Sequence, residues 1–506
     1  MPDRKLSGRK RPRPFRQTPS KGVTFAGYHE RSVMKRTLAG TILPLLIAFA
    51  AVSAAGAADL KPEQRALYDI YKELVEINTT DSVGDNTQAA RAVAARLVAA
   101  GFPQEDVQVL VHPGNAKKGN VVARLRGNGT QKPVLLVAHL DVVEAHKEDW
   151  SPDLDPFKLI ERDGYYYGRG TGDDKAMAAI FVANMIRYKQ EGLKPKRDII
   201  LALTSDEEGG DYNGVAWLAD NHRDLIEAEF GLNEGGGGRE RDGKKLFNAV
   251  QATEKLYRDF DLEITNKGGH SSVPVRDNAI YRLSAALDRL GKFDFPINLN
   301  EVTHAFFERT AALEGGELGA AMKAVVQSNG ADAQAATTLA QTPAYNSMLR
   351  TTCVATMLQA GHARNALPQK ATANVNCRIL PQESVQDVQR TLVGVFADDG
   401  IKVTLRSQAG APAAPVSSLN PLVIKPIEDL TGKMWKGVTV IPIMGTGATD
   451  SAYLRAKGIP MYGVSGLFGD ITDVRAHGRD ERVGVAQFYD SQDFLYRLVK
   501  RYATGK

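Results

Sequence analysis

Four short apolar runs constrain this chain more than any other feature: VVARL (121–125), PVLLVAHL (133–140), DIILALTS (198–205) and AEFGLNE (228–234). Each has the length of a strand and is too uniformly apolar for a sheet face open to water, so each must be covered on both sides. Between the second and third lies KAMAAIFVANMIRYKQEG (175–192), whose apolar residues recur at helical period and mark a crossover. Strands joined in this way run parallel, and the fold class is α/β with a mostly parallel sheet. Two helical stretches, PEQRALYDIYKELVEI (62–77) and TQAARAVAARLVAAG (87–101), precede them.

From about Tyr257 the order changes. DFDLEITNKGG (259–269) is strand-like, NAIYRLSAALDRL (278–290) helix-like, TTCVATMLQA (351–360) and KATANVNCRIL (370–380) strand-like, SVQDVQRTLVGVFA (384–397) helix-like and IKVTLRS (401–407) strand-like. The sum is βαββαβ, the pattern of a small α+β domain with an antiparallel sheet. An Ala-rich segment at 297–348 inside it is a helical insertion. After the connector RSQAGAPAAPVSS (406–418), the α/β pattern resumes with TVIPIMG (439–445) and MYGVSG (461–466). The expected domains are therefore a catalytic domain in two parts, 58–254 and 409–506, with a second domain, 255–408, inserted into it.

Residues 1–57 stand apart as a basic extension and a signal. Met34 begins MKRTLAGTILPLLIAFAAVSAAGAAD, which has the form of a secretory signal: Lys35 and Arg36, an apolar segment from Ile42 to Val52, and Ala55-Gly56-Ala57 for cleavage before Ala58. This predicts a secreted or periplasmic protein without a stable membrane span once the signal is removed. The alternative is a retained anchor at 37–58, and Met34 is itself a candidate start. Residues 1–57 hold eleven Lys or Arg against Asp3 and Glu30, so the remainder carries −4 rather than the +5 of the whole chain. A mildly acidic mature chain excludes the electrostatic footprint of a nucleic-acid binder. Only Cys353 and Cys377 are present, which excludes a disulfide framework and a thiolate metal cluster. They flank an expected hairpin, and two reduced, buried thiols are favoured over a bridge.

Chemistry gathers where the strands end, the place where open parallel sheets bind ligands. His139 and Asp141 close PVLLVAHLD, two apart, with the spacing of an imidazole that binds a metal through one nitrogen while a carboxylate holds the other. Asp173 and Asp174 follow YYYGRGTG and precede the crossover helix. A phosphate loop is a weak reading there, because two aspartates repel an anion; capping of the helix is an ordinary one. TSDEEGG contributes Glu207 and Glu208, and NEGGGG contributes Glu234. Taken alone, the His139/Asp141 pair is an ordinary surface or core hydrogen bond and Glu207, Glu208 and Glu234 are solvated loop residues, but four in succession imply convergence, and converging carboxylates are tolerable only beside cations. Two divalent ions are neutralised by Asp173, Glu208, Glu234 and one hydroxide. Mixed His and carboxylate ligands suit Zn2+, with Co2+ or Mn2+ as replacements. Glu207 is then left to move protons, and Asp206 has a structural place.

HLDVV, YGRGTGDDK, TSDEEGG, NEG, GGHSSVP, NALP, NCRILP, GTGATDS and a late histidine occur in the order found in the aminoacylase, carnosinase and glutamate carboxypeptidase family of dinuclear zinc metallopeptidases, which residues 60–506 resemble throughout. The resemblance implies that Asp173 bridges two zinc ions, that His139 and Glu234 complete one site, and that Glu208 and His477 complete the other. Glu207 would be the general base and Asp141 the support of His139. His270 would stabilise the oxyanion, often from across a dimer built through the inserted domain, which the insertion at 297–348 could block. Asn365 and Arg378 would hold the substrate, with Gly447 and Thr449 lining the pocket. Ala176, where a glycine often stands, and Asn233 depart from the pattern without removing a ligand. The implied activity is hydrolysis, by a hydroxide held between the ions, of small peptides or N-acyl amino acids with a free C-terminal carboxylate. The alternative is a non-catalytic peptide- or amino-acid-binding protein on the same scaffold. No G-x-S-x-G nucleophile elbow is present.

Overall fold

Apolar residues alternate between two cores along the central strands of the protein. In the strand Val134–His139, Val134, Leu136 and Ala138 join one core, while Leu135 and Val137 join another on the opposite face; Ile199–Thr204 divides in the same way. The computed structural model describes residues 60–406 and 410–505. The signal-like segment and the alternative anchor at 37–58 lie outside the described residues.

These strands belong to a ten-stranded sheet. In it Ile199–Thr204, Val134–His139, Phe230–Asn233 and Met461–Gly463 lie side by side and parallel. One face is covered by the helices Pro62–Glu76, Lys175–Gln190 and Val485–Thr504, the other by Gly214–Asn221 and Ser451–Ala456. The expected α/β class holds. Gly119–Leu125, read as one of the parallel set, pairs antiparallel with Ile199–Thr204, so its end points away from the others. The longest strand of this sheet, Lys244–Glu254, was not expected from the sequence, because Asn248, Gln251 and Thr253 interrupt its apolar pattern although all three are buried.

Leu256–Thr265 leaves that sheet and enters a separate four-stranded antiparallel one, in the order Thr352–Ala360, Lys370–Ile379, Leu256–Thr265, Lys402–Leu405. The helices Ala279–Gly291 and Val385–Phe396 pack on it through Leu283, Leu290, Leu392 and Phe396, and the chain order is the βαββαβ read from the pattern. The insertion is helical as expected. Glu301–Glu314, Gly316–Gln327, Ala333–Ala340 and Pro343–Leu349 share a core with Met444 of the large sheet, and Arg309 Nη1 donates to Val440 O at 2.9 Å.

The cysteines correct the expectation of free thiols. Cys353 and Cys377 lie directly opposite each other on neighbouring antiparallel strands and form a disulfide. Cross-strand register, which composition does not reveal, brings the two together. No helix among the described residues is long and apolar enough to cross a membrane.

Candidate metal centre

His139 is the last residue of its strand and is 1% exposed. Its Nδ1 lies 3.0 Å from the carbonyl oxygen of Asp141, which can only accept, so Nδ1 carries a proton and Nε2 is aimed at Asp173 Oδ1, 3.0 Å away. The Asp141 carboxylate was expected to hold this ring. Its Oδ1 stands 3.7 Å from Nδ1, and Oδ2 instead accepts from the backbone N–H of Glu208 at 3.0 Å. The strand ends at His139, so the alternation that would place residues 139 and 141 alike stops there. Asp173 sits in the turn before the helix Lys175–Gln190 and not at the end of a sheet strand.

The three acids after Thr204 separate. Asp206, with φ 59°, is buried, ion-pairs with Lys118 and accepts from Tyr212 N at 3.1 Å. Glu208 meets His477 Nε2 at 2.9 Å, and the same nitrogen lies 3.2 Å from Asp173 Oδ2. Glu207 stands with His139 and Glu234, their ligand atoms within 4.8 Å of one another; His139, Asp173 and Glu208 form a second such group. All five expected ligands and the expected base thus meet in one place. The two groups both contain His139, and Glu207 stands in one of them beside Glu234.

Electrostatics give the cluster its meaning. Burial and the neighbouring acids push the Glu207 and Glu234 carboxyls well above the carboxylate range, with His139 opposing. Burial and Asp173 raise Glu208 to about 7. Burial also disfavours charge on His139, yet its bond to Asp173 and the surrounding acids outweigh this and hold its pKa well above the usual one. Asp173 and then Glu208 raise His477 to about 9, against a smaller effect of burial. Burial alone would raise Asp173, but hydrogen bonds from both histidines drive it well below. So many acids in one buried place oppose one another until cations replace the protons. The buried Asp141 Oδ1 and Asp174 Oδ2 also have no hydrogen-bond partner among the described residues. Hard carboxylate and borderline imidazole donors fit a pair of divalent metal ions.

A cleft of about 950 Å³ opens on the cluster, and Glu207, His477, Arg378, Gly447 and Thr449 all line it. Arg378 reaches it from the smaller sheet. Its guanidinium stacks on the Tyr257 ring at 4.6 Å, and Nη1 donates to Thr446 O at 3.1 Å. The Thr449 hydroxyl donates to Glu254 at 2.9 Å. His270 and Asn365 do not reach the cleft. Residues Gly269–His270 pair with Ala366–Leu367, Ser271 N donates to Asn365 O at 3.0 Å, and both His270 and Asn365 are exposed.

Two buried acids escaped the sequence reading. Glu481 accepts from Arg169 Nη1 (2.7 Å) and from the backbone N–H groups of Gly170 (3.0 Å), Gly172 (2.7 Å) and Asp173 (3.1 Å), which locks the Asp173 turn to the His477 loop. Asp450, raised to about 6 chiefly by burial, accepts from Asn213 at 2.7 Å beneath the centre. In sequence each is one acid in a polar loop, and only its burial distinguishes it.

Residues 135–501 match the peptidase family M20/M25/M40. The chain is 27% identical over 460 residues to the N-fatty-acyl-amino acid synthase/hydrolase PM20D1 of Mus musculus, covering 88% of this chain and 89% of that one. Among solved structures, the M20 family metallo-carboxypeptidase Sso-CP2 of Sulfolobus solfataricus superposes with a TM-score of 0.61 at 17% identity, over 88% of this chain and 100% of that one. The YXEP protein of Bacillus subtilis, a dinuclear metal-binding peptidase, does so with 0.56 at 12% identity, over 87% and 98%.

Proposed function

The chain belongs to the peptidase family M20/M25/M40, and from that membership we propose that it hydrolyses the amide bond of small peptides or N-acyl amino acids bearing a free C-terminal carboxylate. The observation that carries this reading is that a cluster of ligand groups for two cations borders, through Glu207 and His477, the same cleft that Arg378 reaches from the other sheet. Residues 58–254 and 409–506 are the catalytic domain in this reading, with 255–408 inserted.

His139, Asp173, Glu208, Glu234 and His477 would hold two divalent ions, zinc first, with cobalt or manganese as replacements. When bound, such a pair polarises an amide carbonyl and acidifies water. Glu207, the acid of the cluster that also lines the cleft, takes a proton from the attacking water and returns it to the departing amine nitrogen. Arg378, placed over the Tyr257 ring, receives the substrate carboxylate through paired N–H donors. Gly447 and Thr449 bound the same space. His270 and Asn365, outside the cleft of their own chain, would act on the oxyanion and the substrate of a second copy. The exposed apolar side chains Val354, Met357 and Leu358 on the outer strand of the smaller sheet suit such a homodimer. The signal-like N-terminus supports export.

The test is a screen of the zinc-loaded protein against dipeptides and N-acyl amino acids, each with its carboxylate free or amidated. Turnover of the free forms is expected, and Glu207→Ala should keep its metal while kcat falls by about 10²–10⁴. Near-normal kcat in that variant would contradict the assignment of the base. A metal-replete protein that binds these compounds without cleaving them would favour the binding-protein reading.

A further inference from the structure

The disulfide between Cys353 and Cys377 stands one register step from the arginine that reaches the cleft. Across the smaller sheet, Arg378 lies opposite Thr352 on one side and Tyr257 on the other. Directly opposed residues share a face, so Thr352, Arg378 and Tyr257 form a row, with the guanidinium 4.6 Å from the Tyr257 ring centre. Thr352 is in turn tied to the junction between the two sheets. Lys255, the one residue between the strands Lys244–Glu254 and Leu256–Thr265, is buried and donates from Nζ to Thr352 Oγ1 at 3.2 Å and to Arg350 O at 2.7 Å.

The strand that supplies Thr352 is thinly held. Thr352–Ala360 forms an edge of the sheet, its ladder is interrupted between Ala355 and Met357, and every residue from Val354 to Ala360 is exposed. An edge strand with so little burial opens locally at small cost. Lys370–Ile379, which carries Arg378, is paired on both sides, and Cys377 is buried in the core beneath it. The chain has only these two cysteines. Their bond joins the exposed strand to the buried one at the step beside Arg378, so an opening that begins at the outer end of Thr352–Ala360 stops before it reaches the arginine.

We propose that the disulfide is a positioning device for Arg378. By pinning the outer strand at Cys353 it fixes Thr352 and the backbone of Cys377 and Arg378, and with them the place where the guanidinium receives the substrate carboxylate. Cys353 and Cys377 are positioning residues, and neither lines the cleft. This inference rests on the amide-hydrolase reading above, with Arg378 as the grip, and goes beyond it in naming what sets that grip.

The test replaces the pair by Cys353→Ala with Cys377→Val, which keeps the buried position apolar, in the metal-loaded full chain. It measures kcat and KM for one N-acyl amino acid with its carboxylate free or amidated. KM for the free form should rise about threefold or more, while kcat, metal content and the amidated form change little. Val388→Ala thins the core of the same sheet away from the bridge and controls for stability; it should keep the parent's ratio of free to amidated KM. An unchanged ratio in the bridge variant, or the same shift in Val388→Ala, overturns the proposal. Should the bridge variant not fold, the folded, metal-loaded wild type is reduced with a water-soluble phosphine and its thiols are counted. The same rise in KM, reversed on reoxidation, supports the proposal, and an unchanged KM overturns it. A parent that treats free and amidated forms alike refutes the grip, and the proposal with it. If neither form is cleaved, the hydrolase reading fails, and calorimetry with the two compounds decides for the bridge: a preference for the free form about threefold smaller without the disulfide supports it, and an equal preference overturns it.

Discussion

Asp206, Glu207 and Glu208 are consecutive acids with three different surroundings. A left-handed backbone at Asp206 turns its carboxylate to Lys118, while Glu207 and Glu208 face the cluster from adjacent positions. That one of the three would be structural was readable from the excess of acids over ligand places; which direction each takes was not, because it depends on that single φ and on Lys118, 88 residues away. The histidines differ as well. His139 is buried and belongs to both groups of ligand atoms, whereas the side chain of His477 is 56% exposed and pairs, among the described residues, with Asp173 and Glu208. His139→Ala should therefore lose most of the bound metal, and His477→Ala should lose less, chiefly the ion near Glu208. Elemental analysis after dialysis measures both. A full complement of metal in either variant removes that residue from the ligand set.

At the scale of elements, strand ends place His139, Glu207, Glu208 and Glu234 together, since parallel neighbours end on one side of a sheet. The turn that carries Asp173 needs a further restraint, and Glu481 provides it through one arginine and three backbone donors. Glu481→Gln leaves the buried Arg169 without its anion, so a loss of about 3–5 kcal/mol in stability is expected. Metal affinity should fall about 10–100-fold, as for other groups that orient ligands from behind. Thermal unfolding and metal titration check the two parts, and an unchanged affinity would mean that the turn holds its shape unaided. The disulfide acts within the smaller sheet, where it ties two strands 24 residues apart in sequence. By loop closure it stabilises by about 3 kcal/mol. Cys353→Ser with Cys377→Ser should lower the melting temperature of that sheet while the metal content stays intact. Equal melting of variant and parent would show that strand pairing alone suffices.

Over the whole molecule, the cleft is built from two sheets that share the chain. The ends of the large sheet and the turns at Asp173 and His477 supply the ligand cluster, and the smaller sheet sends Arg378 in from the strand Lys370–Ile379. Arg378→Ala should raise KM for substrates with a free carboxylate by about tenfold or more and leave amidated ones little changed. Equal effects on both would mean that Arg378 supports the wall and does not grip the substrate. The α/β class, the βαββαβ order and the helical insertion were readable in the chain, because hydrophobic period depends only on neighbours close in sequence. The residue types of the cluster were readable too, because a histidine and acids that recur after successive apolar runs have few explanations. The polar strand Lys244–Glu254, the pairing of Cys353 with Cys377, the clamp at Glu481 and the distance of His270 and Asn365 from the cleft were decided by tertiary structure alone. Each depends on contacts between segments far apart in the chain, on burial and register, and a linear pattern of residues carries neither.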